Sequence, residues 1–242
     1  MELATNGSIW QFRGCSIVDA VFRSFFEGRN MKKSQEILFS GCSAGGQGLL
    51  YNLDFVAGLL ADITPLGLRI KGFADSGWMM NLPSKPNPAS EVHTQFRRGW
   101  DLWKPRASAC SVVNPIDPST CFFSPNYISY LETPVLIQSS SYDAFQIPYD
   151  CCSPPFQSPS SQSLSAQIAD ATRTAMGRLI HAPHSVYSPS CFTHCLSEGR
   201  LFTSVQVFGT TLATKLSNWF FDKIPAIGPL LDDCGFNCST HC

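Results

Sequence analysis

A short segment of the chain has the residue types and spacing of a serine nucleophile. Gly41-Cys42-Ser43-Ala44-Gly45 follows an apolar run at residues 36–40 and precedes leucines at helical spacing. A serine on a sharp turn between a buried strand and a helix has the setting of a nucleophile elbow. We therefore predict that Ser43 attacks a carbonyl, and that the N–H groups of Ala44 and Gly45 stabilise the resulting oxyanion. The alternative is a plain glycine-rich turn.

The serine hydroxyl needs a base to accept its proton. The chain has five histidines. His194 lies in a short segment between Cys191 and Cys195, where crosslinks would fix its position. Because the histidine follows the acid and the serine along the chain in enzymes with a nucleophile elbow, we predict His194 as the base.

The base in turn needs a carboxylate that orients it. Asp143 follows a strand candidate at residues 133–138, the last one before the histidine segment, and we predict it as the acid. Asp75 follows the preceding strand candidate and is the alternative. Asp75 also suits a turn-capping role, with a hydrogen bond to Ser76 or Gly77.

These residues lie at the ends of strands that alternate with helices along the chain. That alternation predicts an α/β sheet in one domain over residues 1–242. Residues 153–165 are rich in Ser, Pro and Gln, which predicts a surface loop without a packing pattern. Four strands and three helical stripes are expected, the strands at 36–40, 68–74, 133–138 and 204–208 and the helices at 17–26, 49–60 and 164–179.

Composition excludes several classes of protein. The chain has 242 residues, of which 14% are charged, with a formal net charge of −1 and no polybasic run. Electrostatic binding to nucleic acid or to a membrane surface is therefore not expected. Apolar stretches such as residues 56–60 are far shorter than the roughly 20 residues of a spanning helix, so we predict no transmembrane segment.

Eleven cysteines indicate an oxidising compartment and a framework of disulfides, and therefore secretion. Three of them fall in the tail at residues 232–242. We expect a Cys110–Cys121 disulfide, and we expect Cys42 to be a small packed thiol. Two sequences fit N-glycosylation, at Asn6 and Asn237.

Zinc is the alternative use of these cysteines. Two groups have ligand-like spacing, Cys191-His194-Cys195 and Cys234-Cys238-His241-Cys242. Paired Cys-x-x-Cys knuckles are absent from the sequence, so we favour disulfides and predict neither a metal nor another cofactor.

Four ordered blocks carry a resemblance to a known family. They are Gly41-Cys42-Ser43-Ala44-Gly45-Gly46, Phe73-Ala74-Asp75-Ser76-Gly77-Trp78, Tyr142-Asp143-Ala144-Phe145-Gln146 and Ser190-Cys191-Phe192-Thr193-His194. From about Trp10 to the C-terminus the chain resembles the pectin acetylesterase family, in its Notum-like branch. The resemblance implies an α/β-hydrolase-like sheet with helices on both faces and the same three catalytic residues, Ser43, Asp143 and His194.

The resemblance also implies a substrate class. Notum-like members are secreted carboxylesterases that remove palmitoleate from a serine of Wnt proteins and so dampen Wnt signalling, whereas plant members remove acetyl groups from pectin. The expected partner is therefore an acylated protein or an acetylated polysaccharide. We expect Trp78, Phe145 and Phe192, which adjoin the site blocks, to line a pocket for an acyl chain, with core packing as the alternative. A non-catalytic member that binds lipid or glycan is the remaining alternative.

The chain departs from the family at its beginning. Family members carry a glycine-rich segment ending in Gly-Trp upstream of the elbow, and nothing before Trp10 matches it. The first residues also lack the apolar region of a signal peptide. We therefore expect an N-terminally incomplete chain that lacks the first strands of the fold.

Overall fold

A computed structural model describes residues 2–5, 8–28, 30–63, 68–82, 92–152, 154–181, 183–223 and 228–242. The strands are β1 (Glu2–Thr5), β2 (Ser8–Gln11), β3 (Glu36–Cys42), β4 (Arg69–Asp75), β5 (Val135–Gln138), β6 (Tyr142–Asp143), β7 (Ser185–Ser188), β8 (Phe192–Thr193), β9 (Gln206–Val207), β10 (Thr210–Thr211) and β11 (Leu230–Leu231). The helices are α1 (Gly14–Gly28), α2 (Ala44–Ile63), α3 (Val92–Trp103), α4 (Ala109–Val113), α5 (Ser124–Tyr127), α6 (Gln146–Asp150), α7 (Pro159–Gly177), α8 (Leu201–Ser204) and α9 (Leu212–Phe220).

The central sheet has five parallel strands in the order β11-β7-β5-β4-β3. Its strands β3, β4 and β5 match the strands expected from the first three apolar runs. Beyond the end of β5, β6 pairs in parallel with β8, and Asp143 lies opposite Thr193 in that register. This small pairing brings the predicted acid beside the residue that precedes His194.

The strand predicted at residues 204–208 is not part of the central sheet. It forms β9, which pairs with β10 in an antiparallel hairpin and makes one isolated antiparallel bridge, between Gln206 and Thr240. The hairpin turn consists of Phe208 and Gly209, both with positive φ angles, and two such residues favour a tight two-residue turn. The sheet position goes instead to β7, a four-residue strand that the sequence pattern did not indicate.

Helices cover both faces of the sheet. Val135 and Ile137 of β5 pack with leucines of α2 and with Met176 of α7. Leu136, which points to the opposite face, packs with Tyr187 and with Leu212 of α9. The expected placement of helices on both faces is therefore confirmed. Within the described ranges, no helix combines the length and apolarity needed to cross a bilayer.

The prediction of a surface loop at residues 153–165 is wrong for its second half, because α7 begins at Pro159. Ser158 caps this helix: its hydroxyl accepts a hydrogen bond from the Ser161 N–H, and the Ser161 hydroxyl accepts one from the Ser158 N–H. Proline suits the first helical turn, where no N–H is needed. The serines and the proline at residues 158–161 therefore form the start of a helix. Ser165, which the prediction placed in the surface loop, is buried.

Disulfides fasten the loops and the C-terminal tail. The expected Cys110–Cys121 bond is present. In the tail at residues 232–242, Cys234 bonds to Cys238, and Cys242 bonds to Cys191 just before β8. A further bond joins the neighbours Cys151 and Cys152. The segment that carries His194 is thus attached to the end of the chain.

Candidate active site

Ser43 occupies the single turn residue between β3 and α2, with φ 55°. Positive φ is uncommon for a residue with a side chain, and such strain is concentrated at functional sites. The Ser43 N–H donates to the Asp75 carbonyl at 2.8 Å, which holds the turn against the end of β4. Ala44 and Gly45 are exposed at the start of α2, where the first N–H groups lack partners within the helix.

The turn needs glycine at positions where two backbones approach closely. A Cβ atom on Gly41 would lie 2.3 Å from the carbonyl oxygen of Gly45. A Cβ atom on Gly46 would lie 3.0 Å from the Gly77 Cα, where the elbow packs against the loop after β4. Gly45 itself has open space around it. The second glycine that packing requires is therefore Gly46, one residue beyond the five-residue motif.

Asp143 and His194, the predicted acid and base, are hydrogen-bonded to each other. The Asp143 Oδ2 and Oδ1 atoms lie 2.8 Å and 3.0 Å from His194 Nδ1. The Asp143 Oδ1 atom also accepts hydrogen bonds from the backbone N–H groups of Phe145 and Gln146, each at 2.9 Å. These donors fix the carboxylate, which in turn selects the His194 tautomer with its proton on Nδ1.

The environment of His194 suits a base. Its hydrogen bond to Asp143 raises the pKa of the imidazole above its ordinary value; burial opposes this, and the charges of Asp143, Asp75 and Glu198 add to the increase. Its Nε2 atom is shielded from solvent and has no hydrogen-bond partner among the residues that the structure describes. The pair can therefore accept a proton at Nε2 while Asp143 stabilises the imidazolium.

A disulfide joins the elbow to the histidine segment. Cys42, next to Ser43, bonds to Cys195, next to His194, with their Cα atoms 5.7 Å apart. A ring nitrogen of His194 lies within 4.8 Å of both sulfurs. The prediction of a packed thiol at Cys42 is wrong, because Cys42 is in a disulfide. The two cysteines are 153 residues apart, and cysteine spacing in a sequence does not reveal such a pairing.

The same bond bears on the zinc alternative. Zinc takes cysteine as a thiolate, and a disulfide sulfur is not one. Cys195 and Cys191 are both in disulfides, as are the three cysteines of the tail. The cysteines that either zinc group would use are therefore oxidised in this structure.

Asp75, the alternative acid, lies beside the pair without bonding to His194. Its Oδ2 atom accepts a hydrogen bond from the Ser197 N–H at 2.8 Å and another from the Ser197 hydroxyl. The residue is 1% exposed, and burial raises the pKa of its carboxyl group above the ordinary value, while the Ser197 donors oppose that increase. The turn-capping contact with Ser76 is a long one, at 3.4 Å.

Of the three aromatic residues expected to line a pocket, Phe145 has a ring contact with His194. Its ring centroid is 5.7 Å from that of His194, and 48% of the residue is exposed. Trp78 is 2% exposed and belongs to the core, with its indole N–H directed at the Met80 sulfur, so the pocket prediction is wrong for it. A large aromatic ring contributes most when it is buried, and the Trp78 ring is buried in the core.

Phe192 packs against Phe236, at 5.8 Å between ring centroids, and against the core cluster that contains Tyr142 and Ile147. Tyr149, which is not among the predicted site residues, stacks on Phe145 at 5.7 Å between ring centroids and 22° between ring planes. Phe145 caps the N-terminus of α6 and Tyr149 lies four residues later in that helix. Side chains four residues apart are neighbours on a helix surface, so this spacing is the sequence signal for the pair.

The chain is similar to carboxylesterases from animals and plants. Palmitoleoyl-protein carboxylesterase notum2 of Xenopus laevis is 27% identical over 218 residues, which are 87% of this chain and 44% of that protein. Human palmitoleoyl-protein carboxylesterase NOTUM is 28% identical over 219 residues, 87% of this chain and 43% of that protein. Pectin acetylesterase 5 of Arabidopsis thaliana is 25% identical over 260 residues, 98% of this chain and 58% of that protein. The chain thus spans about half the length of these curated relatives.

The fold has a solved counterpart. The crystal structure of the Wnt deacylase Notum from Drosophila superimposes with a TM-score of 0.86 at 23% identity, over 97% of this chain and 66% of that chain. The expected α/β-hydrolase-like fold is therefore confirmed. The sequence also matches the pectinacetylesterase family over residues 1–242. On that match, the chain belongs to the pectinacetylesterase family.

Proposed function

We propose that the protein is a serine carboxylic-ester hydrolase with Ser43 as nucleophile, His194 as base and Asp143 as acid. The observation that carries the proposal is the Asp143–His194 pair, whose Nε2 is shielded and which the Cys42–Cys195 bond ties to the elbow. Ser43 loses its proton to His194 Nε2 as its oxygen attacks the ester carbonyl.

The later steps use the same groups. The N–H of Ala44, with that of Gly45, stabilises the oxyanion at the start of α2. The tetrahedral intermediate collapses, and His194 returns the proton to the leaving alcohol. Water then loses a proton to His194 and attacks the acyl-enzyme, which releases the carboxylic acid and restores the Ser43 hydroxyl.

The proposed substrate is a fatty acyl ester, namely a palmitoleoyl group on a serine of a secreted Wnt-like protein. Its support is the likeness to palmitoleoyl-protein carboxylesterases. Five disulfides among the described residues fit an extracellular location. Hydrolysis of that ester would dampen Wnt signalling.

A second candidate is an O-acetylesterase that acts on polysaccharide. The observation that favours it is the stacked pair of Phe145 and Tyr149 beside His194, with Phe145 about half exposed. An open aromatic surface suits a sugar ring, whereas a fatty acyl chain needs an enclosed apolar pocket. A likeness to a plant pectin acetylesterase supports the same candidate.

Replacing Ser43 tests the mechanism. Ser43→Ala removes the nucleophile, so we expect turnover of 4-nitrophenyl esters to fall by about 10⁴-fold or more. A serine-directed phosphonate should label Ser43 in the unaltered protein. The control is Ser160→Ala, on the exposed surface of α7. A folded protein without labelling at Ser43 would support the non-catalytic, ligand-binding alternative.

The acyl-chain profile separates the two substrates. We expect an eight-carbon 4-nitrophenyl ester to exceed the two-carbon ester in kcat/KM, because each buried CH₂ contributes about 0.8 kcal/mol. For an acetylesterase the order reverses. Unchanged kcat/KM across the series would contradict a pocket for the acyl chain.

A further inference from the structure

Asp75 contacts both of the segments that carry the proposed nucleophile and base. Its backbone carbonyl accepts the Ser43 N–H at 2.8 Å. Its carboxylate accepts the N–H of Ser197, three residues after His194, at 2.8 Å, together with the Ser197 hydroxyl. Elsewhere in the described chain these two segments are joined by the Cys42–Cys195 disulfide. A single residue at the end of β4 therefore links two segments that lie more than 150 residues apart.

The turn after His194 needs such a support. Cys195 adopts a left-handed conformation, with φ 57°, and the 3₁₀ turn Leu196–Glu198 follows it. The Cys195 N–H donates to the Ser76 hydroxyl at 2.9 Å. Conformations of this kind persist only where the surroundings hold them in place. Here the support comes from the disulfide, from Ser76 and from the Asp75 carboxylate.

The carboxylate also acts through its charge. The charge of Asp75 is among the causes that raise the pKa of His194, after the hydrogen bond and charge of Asp143 and ahead of the charge of Glu198. A negative charge near the imidazole stabilises the imidazolium that forms when the base takes a proton. Burial of a carboxylate is costly, and this role gives a reason to retain it.

We infer that Asp75 is a positioning residue of this site: its carboxylate holds the His194 turn against the strand end that also holds the Ser43 amide. The inference rests on the proposed function. It assigns Asp75 no contact with the substrate. Its effect passes through His194, whose Nε2 must lie in line with the serine hydroxyl, and an error of about 1 Å in such an alignment costs about 10²-fold in rate.

The test is Asp75→Asn, with Asp54→Asn as the matched control. Asp54 also holds a turn, because its carboxylate accepts the N–H groups of Glu132 and Thr133, but it does so away from His194. For Asp75→Asn we expect kcat on a 4-nitrophenyl ester to fall by about 10- to 100-fold with little change in KM. The acid limb of kcat/KM should move to lower pH, because the charge that raises the pKa of His194 is lost.

Asp54→Asn should leave both kcat and the acid limb unchanged, and thermal unfolding of the two variants compares their stability. The inference would be overturned if the Asp75→Asn variant had the same kcat and the same acid limb as the unaltered protein. A loss of kcat that leaves the acid limb in place would make Asp75 a merely structural residue and would overturn it as well.

Two further measurements keep the inference testable. If Asp75→Asn does not fold, Ser197→Ala removes one hydrogen bond to the same carboxylate, and a several-fold loss of kcat at unchanged KM is expected; no loss overturns the inference. If the unaltered protein neither hydrolyses the ester nor reacts with the phosphonate, the proposed function fails. NMR titration of His194 in Asp75→Asn then still tests the link, and an unchanged titration overturns it.

Discussion

Asp143 at the end of β6 and Asp75 at the end of β4 are both aspartates, and both are buried, with 7% and 1% exposure. They differ in the groups that donate to them. Asp143 accepts the N–H groups of Phe145 and Gln146 and bonds to His194, whereas Asp75 accepts the N–H and hydroxyl of Ser197. The donors around a strand-end carboxylate, rather than its position, therefore decide whether it bonds to the His194 imidazole or to the backbone that follows His194.

Asp150, at the end of α6, extends the comparison to a carboxylate with few donors. It is 3% exposed, and its Oδ2 atom has no hydrogen-bond partner among the described residues. Burial raises its pKa to about 6, and a hydrogen bond with Gln146 opposes this only in part. A buried aspartate without sufficient donors retains its proton more readily, which suits neither role of the other two.

The same substitution at the first two strand ends should separate their roles. In Asp143→Asn the amide no longer selects the His194 tautomer with a proton on Nδ1, so Nε2 cannot serve as the base. We expect kcat on a 4-nitrophenyl ester to fall by about 10³- to 10⁴-fold, as is typical when the acid of a triad is lost. The loss for Asp75→Asn should be at least tenfold smaller.

Steady-state kinetics at several pH values measures both variants side by side. Equal losses at the two positions would remove the distinction between acid and positioning residue. A larger loss at Asp75 would reverse the two roles and make Asp75 the acid.

The proposed catalytic residues can be predicted from the sequence because their signals are local. Ser43 is marked by its strand, turn and helix, and β4 and β5 end at Asp75 and Gln138 as the apolar runs predict. Chain order then favoured Asp143 over Asp75, and the structure pairs Asp143 with His194. The family resemblance pointed to the same residues.

The features that were missed depend on distant contacts. The Cys42–Cys195 bond and the hydrogen bond from Ser197 to Asp75 each span more than 120 residues, and no local pattern encodes them. The strand β7 has only four residues, too few to show a pattern in the sequence, and its place between β5 and β11 depends on pairing with those strands. Proximity in sequence to Asp75 predicts a pocket position for Trp78, whereas its ring packs in the core.

The third carboxylate, Asp150, should affect the stability of the fold rather than the rate of hydrolysis. The pKa of Asp150 is about 6 in the folded protein against an ordinary 3.8, so the folded state binds more protons between those values and the free energy of unfolding falls as pH rises through them. The resulting penalty at pH 7 is about 2–3 kcal/mol. Asp150→Asn removes it, so we expect the free energy of unfolding in urea to rise by that amount at pH 7 and to change little at pH 4. Asp62→Asn, on the exposed side of α2, is the control and should stay within about 0.5 kcal/mol at both pH values. A gain at pH 4 equal to that at pH 7 would show that the amide stabilises by packing, and that a shortage of donors is not what sets Asp150 apart from Asp75 and Asp143.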